Sequence, residues 1–313
     1  MTNSKAEERI QTLVLTWGEE HRRTLPWRQT RDPWKVLVSE VMLQQTQVDR
    51  VVPKYESFVK RFPTTTACAV APLSAVIEIW VGLGYNRRAV NLHRAAATVE
   101  DNHAGVFPAT LDGLLSLPGV GPYTARAILA FAFEADAAPV DTNIGRLLAR
   151  WGGEMLAGKA AQSRAEEMLP AGRGWDWNQT LMDFGATLCR RRAPQCERCP
   201  VRGDCSWKGV GPDPASGSAF VSGGQSRFEG SDRQGRGRLI AALVERGVVP
   251  RAEVPLVMGW PGDAERAERV MRGLVADGLV EAGNVTKANT NRDIARDVVR
   301  LVASDHTGTE NAS

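Results

Sequence analysis

The segment Leu117-Pro118-Gly119-Val120-Gly121-Pro122-Tyr123-Thr124-Ala125 constrains the fold more than any other part of the chain. Leu111, Leu114, Leu115 and Leu117 lead into it and Ala125, Ile128, Leu129 and Ala132 lead out, both at helical spacing, so two helices meet at a very short turn. Gly119 and Gly121 allow left-handed backbone angles. Pro122 suits the first position of the second helix, where an N–H has no intrahelical partner. The amides of Gly119, Val120 and Gly121 are then left at a helix N-terminus. That geometry binds a phosphate without a basic side chain, and it serves equally as a plain helix–helix connection.

A chain of 313 residues has room for two or three domains and a sizeable core. Its net charge of +3 argues neither for nor against nucleic acid, although the basic residues are nearly all arginine, which suits bidentate phosphate contacts. The polar start from Met1 to Arg9 is no signal peptide, and no apolar run approaches membrane-spanning length. The expectation is a soluble, cytoplasmic, nucleoid-associated protein with no membrane partner. Five cysteines in such a chain are not read as disulfides. Cys68, alone in an apolar stretch, reads as a small core residue.

Ile10, Leu13, Val14 and Trp17 mark a first helix, which Leu25-Pro26-Trp27-Arg28 interrupts. Trp27 and Arg28 offer a flat ring beside a planar fork, or simply a packed Trp with an Arg at its rim. From Pro33 to Val48, Glu40 falls among Val36, Leu37, Val41 and Leu43 on neighbouring helix faces. Desolvation there raises a carboxyl pKa toward the range of a general acid near neutral pH, whereas a solvated helix-face Glu is the plainer reading. The uncharged run Gln44-Gln45-Thr46-Gln47 can hydrogen-bond base edges. Val51–Phe62, Leu73–Trp80 and Arg88–Val99 read as further helices. Between the last two, Gly82-Leu83-Gly84-Tyr85-Asn86-Arg87-Arg88 can wedge Leu83 and Tyr85 into a base stack, or plug a helix–helix loop. Asp141 precedes a helix marked by Ile144, Leu147, Leu148 and Trp151, as an N-cap worth about 1 kcal/mol does. A cap that faces a cleft can also be catalytic.

The helical segment Trp175–Leu188 runs into Cys189, Cys196, Cys199 and Cys205. Four thiolates this close suit a tetrahedral zinc or a [4Fe-4S] cluster; only Cys196 and Cys199 form a CxxC pair, which favours the cluster. Arg190, Arg191, Arg192 and Arg198 lie in the ligand loops, where a metal would pin them toward phosphates. Residues 209–235, rich in Gly, Ser, Pro and Asp, read as a linker. Helices at Arg236–Arg246, Arg251–Met258 and Ala264–Asp277 and a strand at Leu279–Val285 suggest a winged-helix-like module over 236–303, with 304–313 a disordered tail.

Together the hairpin, Asp141 and the four-cysteine loop resemble the helix-hairpin-helix DNA glycosylases of the endonuclease III superfamily. LPWR at Leu25–Arg28, SEVMLQQTQV at Ser39–Val48 and GLGYNRRA at Gly82–Ala89 resemble its adenine DNA glycosylase branch. The resemblance spans residues from about 10 to 206. It implies an all-α fold, with a six-helix barrel over 29–136 and a [4Fe-4S] cluster domain from 1–28 and 137–208. Glu40 and Asp141 would face each other across the cleft between them. It implies a monomer that acts on double-stranded DNA carrying a mismatched or oxidised pair. Adenine opposite 8-oxoguanine or guanine is flipped out, Glu40 protonates its N7, and Asp141 stabilises or transiently captures the oxocarbenium-like sugar. Tyr123 stands where bifunctional relatives carry a Schiff-base lysine, so an abasic site is the expected product. By the same resemblance Asn143 supports Asp141, and Trp27, Arg28 and Gln179 line the adenine pocket. Gln45, Leu83 and Tyr85, beside Gln44 and Thr46, enter the stack, and the hairpin with Arg190 and Arg191 holds the backbone.

One departure stands out: the Nudix-hydrolase-like C-terminal domain usual in the family does not fit residues 236–303, which are too short and too helical. Two rival readings are a thymine glycosylase acting on T·G mismatches and a non-catalytic regulator with a winged-helix reader and a redox-sensing cluster.

Overall fold

The computed structural model describes residues 3–221, 227–285 and 296–302. Its helices are α1 (Asn3–His21), α2 (Pro33–Leu43), α3 (Val48–Arg61), α4 (Thr65–Ala69), α5 (Leu73–Trp80), α6 (Arg87–His103) and α7 (Leu111–Leu115). Next come α8 (Pro122–Phe131), α9 (Thr142–Gly152), α10 (Gly158–Glu167) and α11 (Gly174–Asp183). The C-terminal module holds α12 (Asp232–Arg246), β1 (Val248–Pro250), α13 (Val254–Met258), α14 (Ala264–Ala276), β2 (Val280–Val285) and β3 (Arg296–Leu301). None of the helices in the described residues is long and apolar enough to cross a membrane.

Contacts gather the chain into two compact units, Met1–Glu40 with Phe107–Gly224, and Val41–Val106 with Gln225–Ser313. The division falls at Glu40 and Phe107, whereas the expected partition fell at 28 and 136.

In the first unit α1 lies along α11, and α9 is packed against both α10 and α11. Val14, Ile144, Leu147, Trp151, Trp177 and Phe184 form the centre of its core. Each such side chain withdrawn from water contributes about 1.5–3 kcal/mol, which is what holds short helices together. Trp151 and Phe184 meet edge to face at 6.0 Å between ring centres. After α11 the chain makes a π-helical turn, Phe184–Leu188, where the sequence suggests an uninterrupted helix. The first part of the Gly- and Ser-rich segment is not a loose tether. Ala215 and Ser218 are buried, and the Ser218 hydroxyl accepts from the Leu156 N–H at 3.1 Å. Asp213 pairs with Arg150 at 2.6 Å.

In the second unit α4 packs on α6, and α5 lies against α6 and α12. Cys68 sits on the short α4, fully buried, and burial pushes its thiol up to about 12, so it behaves as a small apolar residue. Ser231 caps α12 by accepting the Gln234 N–H, and Asp263 caps α14 by accepting the Arg266 N–H. The strands pair antiparallel in the order β1-β3-β2, with Val249 opposite Val299 and Val280 opposite Leu301. Val249 and Val299 are wholly buried, with β1 and β3 packed on α12 and β2 on α14. The order helix, strand, two helices, two strands is that of a winged helix. The tail from 304 lies outside the described residues.

Candidate active site

The helix-hairpin-helix turn sets the position of Tyr123. Thr110 caps α7 by accepting the Gly113 N–H at 3.2 Å, and α8 starts on Pro122 with Gly121 as its N-cap. Of the two turn glycines only Gly119 is left-handed, at φ +78°; Gly121 is extended at φ −95° and has open space where a Cβ would stand. The left-handed requirement therefore applies to Gly119 alone. The Val120 N–H bonds the Leu117 carbonyl at 3.1 Å, while the amides of Gly119 and Gly121 have no backbone partner among the described residues.

Tyr123 occupies the first turn of α8, and its hydroxyl hydrogen-bonds the carboxyl of Glu40 on α2. Glu40 is 6% exposed, as its apolar neighbours imply. Burial raises its pKa to about 7; the Tyr123 hydroxyl and the Arg28 charge oppose that rise and the charge of Asp141 adds to it. Burial, with the charges of Glu40 and Asp141, holds the Tyr123 phenol well above its ordinary value, so it stays a donor.

Asp141 is the N-cap of α9. Its Oδ1 accepts the N–H groups of Asn143 at 2.9 Å and Ile144 at 2.8 Å, and its Oδ2 accepts the Asn143 amide at 2.8 Å. Burial raises its pKa, and those three donors and the Arg146 charge hold it back. Asn143 is in turn held by Arg146 at 2.8 Å. The same guanidinium donates to the carbonyls of Gly185 at 2.7 Å and Cys189 at 2.9 Å. A glycine is needed at 185, because a Cβ there would come within 2.6 Å of the Asn143 Cβ.

Arg28 follows Trp27 in a 3-10 turn; Trp27 is buried and the Arg28 side chain is 7% exposed. Its fork grips the Asp183 carboxylate at 2.6 and 3.1 Å, and the buried Arg28 Nε has no hydrogen-bond partner among the described residues. Burial pushes the Asp183 carboxyl up, but the guanidiniums of Arg28 and Arg23 outweigh it and hold the group below its ordinary value. Gln179 is buried on α11, four residues before Asp183.

Cys189, Cys196, Cys199 and Cys205 carry free thiols. Burial raises the Cys199 thiol to about 12, with Cys189, Cys205 and Cys196 close enough to add to the effect. Arg150, 1% exposed, bonds the Cys189 sulfur at 3.3 Å and the Arg190 carbonyl at 2.9 Å. Arg190, Arg191, Arg192 and Arg198 are exposed. Among the described residues no His, Cys, Asp and Glu side chains converge as a group that could hold a single metal ion.

The remaining predicted residues lie in the second unit, where Arg88 joins two loops. Its guanidinium bonds the carbonyls of Val41 (2.7 Å), Met42 (3.0 Å) and Gln44 (2.6 Å), the Thr46 hydroxyl (3.2 Å) and the Gly84 carbonyl (3.0 Å). Burial lowers its pKa to about 10. Gln45 and Tyr85 are both exposed and left-handed, at φ +56° and +48°, a conformation costing about 1–3 kcal/mol for a residue with a side chain. Leu83, expected to wedge beside Tyr85, is instead tucked in at 5% exposure.

Arg88, Arg146 and Asp183 were not singled out from sequence. For Arg146 the signal is Arg at 146 and 150, one turn apart in a helix whose apolar residues Ile144, Leu147, Leu148 and Trp151 recur at helical spacing. For Arg88 and Asp183 no local pattern exists, since their partners are distant in sequence.

Residues 38–170 match the model of the HhH-GPD superfamily of base excision DNA repair proteins. An adenine DNA glycosylase of Mycolicibacterium smegmatis is 39% identical over 275 residues, covering 86% of this chain and 91% of that protein. The chain belongs to the adenine DNA glycosylase family. A match of that length in 313 residues runs well into the C-terminal module, so the mycobacterial family member shares that region. A thermostable thymine-DNA glycosylase superposes with a TM-score of 0.63 at 32% identity, covering 67% of this chain and 99% of its own. An endonuclease III trapped on DNA superposes with a TM-score of 0.58 at 22% identity, covering 67% of this chain and 98% of its own, which shows the shared fold.

Proposed function

We propose that the chain is a monofunctional DNA glycosylase that removes adenine mispaired with 8-oxoguanine or guanine and leaves an abasic site. The observation that carries this reading is a carboxyl buried beside a second carboxylate and raised to about 7, Glu40 near Asp141. Such a pair supplies one acid that is protonated near neutral pH and one carboxylate held ready by fixed donors.

With adenine flipped out, the Glu40 proton passes to N7, and the electron pair of the sugar–base bond leaves with the base. Asp141 balances the positive charge that develops on the sugar. Water then attacks the anomeric carbon and returns its proton to Glu40. Tyr123 holds the Glu40 carboxyl in place and has no amine, so no Schiff base forms. Trp27 offers a stacking face, while Gln179 and the unpartnered Arg28 Nε offer polar contacts to the base. The outward amides of the hairpin, with Arg190 and Arg191, would take DNA phosphates.

Four free thiols, with Cys199 within electrostatic reach of the other three and a deeply buried arginine bonded to Cys189, fit a [4Fe-4S] cluster ligated by Cys189, Cys196, Cys199 and Cys205. When bound it ties their loops together and holds the Arg190–Arg192 segment. Purified anaerobically, the protein should carry about four irons per chain; stoichiometric zinc with no iron would rule the cluster out.

The test is single-turnover base release from A·8-oxoguanine, A·G and T·G duplexes. Adenine release from the first two supports the reading, and thymine release alone overturns it.

A further inference from the structure

Asp183, the last residue of α11, is wholly buried, and its acceptor positions are all taken. Its Oδ1 accepts Arg23 Nε at 2.7 Å and Arg28 Nη2 at 3.1 Å, and its Oδ2 accepts the Arg23 backbone N–H at 2.9 Å and Arg28 Nη1 at 2.6 Å. A carboxylate has about four lone-pair sites, so none remains for a substrate. The side chain acts through what it holds. Arg23 is 37% exposed and water screens its charge, whereas the Arg28 side chain lies inside.

Arg28 is gripped end-on. Its Nη1 also donates to the Arg23 carbonyl at 2.9 Å, which leaves the Nε edge open. A buried N–H without an acceptor costs about 1–3 kcal/mol, more when it is charged, until a partner arrives. Gln179 stands one turn before Asp183 on α11, so the anchor of Arg28 and a second polar side chain of the proposed base pocket share one helix. The grip also has an electrostatic effect. Glu40 is faced by the Tyr123 hydroxyl from the start of α8, by the Asp141 carboxylate from the start of α9, and by the Arg28 guanidinium, whose positive charge favours an ionised Glu40. An acid must keep its proton until the base takes it. A cation backed by a carboxylate acts at a distance as a dipole, and its field falls off faster than that of a bare charge.

We propose that Asp183 is a positioning residue of the excision site: it holds the Arg28 guanidinium so that the Nε edge alone meets the base, and it cancels the Arg28 charge beside Glu40. This rests on the proposed reaction, from which the flipped base and the acid role of Glu40 are taken. Asp183→Asn keeps the shape, removes the charge and replaces one acceptor by a donor, so it releases Arg28 and uncovers its charge in one step.

The experiment compares the full chain with Asp183→Asn, Arg28→Gln and the double variant in two measurements. The first is the pH profile of single-turnover base release. Asp183→Asn should move the alkaline limb down by about one pH unit, the smaller end of what an opposite charge a few ångströms away does. It should also slow release about tenfold or more at pH 5, where Glu40 holds its proton in every variant. Arg28→Gln should move the limb up, and in its background Asp183→Asn should change neither limb nor rate. The second measurement uses no DNA. Glu40→Gln should raise Tm at pH 8 by less in the Asp183→Asn background than in wild type, because the uncovered Arg28 charge already favours the ionised acid. An Asp183 that only holds the fold together would lower Tm and move neither the limb nor this difference. A limb that stays put in Asp183→Asn, or a shift that persists without Arg28, overturns the proposal. Should Asp183→Asn not fold, the double variant has both charges removed and is still compared with Arg28→Gln: coincident limbs support the proposal and separate limbs overturn it. Thymine release in place of adenine would defeat the proposed substrate and leave both measurements readable. A protein that frees no base is still judged by the Tm difference.

Discussion

Glu40 costs the fold stability in the state that its proposed role requires it to pass through. Its pKa is about 7 in the folded protein and 4.5 for a free side chain, so between those values the folded state binds the extra proton and stability falls as pH rises. At ~1.36 kcal/mol per pH unit the penalty above pH 7 is about 3 kcal/mol. Glu40→Gln, which keeps the shape and removes the charge, should raise Tm by several degrees at pH 8 and hardly at all at pH 5. In a single-turnover assay the same variant should release no measurable adenine. An unchanged Tm at pH 8 would mean that Glu40 is not desolvated as the structure has it. Excision by the wild type should fall on the alkaline side near pH 7 as Glu40 loses its proton. It should fall on the acid side as Asp141, raised by burial, gains one. Tyr123→Phe deletes a hydrogen bond that lowers the Glu40 pKa, so its alkaline limb should move to higher pH; a profile that stays put or moves down contradicts the contact.

At the scale of elements, what could be read from sequence were the features whose causes are local. The α7–α8 hairpin, the capping of α9 by Asp141 and the burial of Glu40 on α2 follow from spacing and residue type alone. The π-helical turn after Asp183 does not, because it depends on Gly185 lying against Asn143, more than forty residues earlier. The inward turn of Leu83 is equally hidden. An apolar residue between two glycines suits a wedge or a plug, and the packing of a distant helix decides which. Arg88 is the clearest case, an arginine at the start of α6 whose partners lie on the end of α2 and the loop after it. Arg88→Met keeps the apolar stem but leaves several carbonyls without a donor. It should destabilise the fold by about 1–3 kcal/mol for each carbonyl that stays buried without a donor. It should also weaken binding to duplexes carrying an abasic analogue more than it slows base release at saturating DNA. A variant as stable as wild type would show those carbonyls to be solvated.

On the scale of the whole molecule, composition misleads over residues 209–221, where Gly and Ser suggest a tether but Asp213 takes both arms of Arg150, at 3.0 and 2.6 Å. Arg150 reaches Cys189 and the Arg190 carbonyl with another nitrogen. Two truncations, ending at 208 and at 221, should therefore differ. The shorter should lose iron to a chelator faster, measured as iron per chain over time. Equal loss would mean that Asp213 does not support the cysteine loop. The discontinuity of both compact units has a consequence during synthesis. Residues 41–106 leave the ribosome early, but the rest of their unit begins at 225. At ~5–20 residues per second the first half waits on the order of ten seconds for the second, with the face of α5 that packs on α12 uncovered meanwhile. The unit from Met1 to Glu40 and Phe107 to Gly224 is complete sooner. A nascent chain should therefore acquire its proposed chemistry before its second unit is whole, and chaperone demand should peak while the module is still being made.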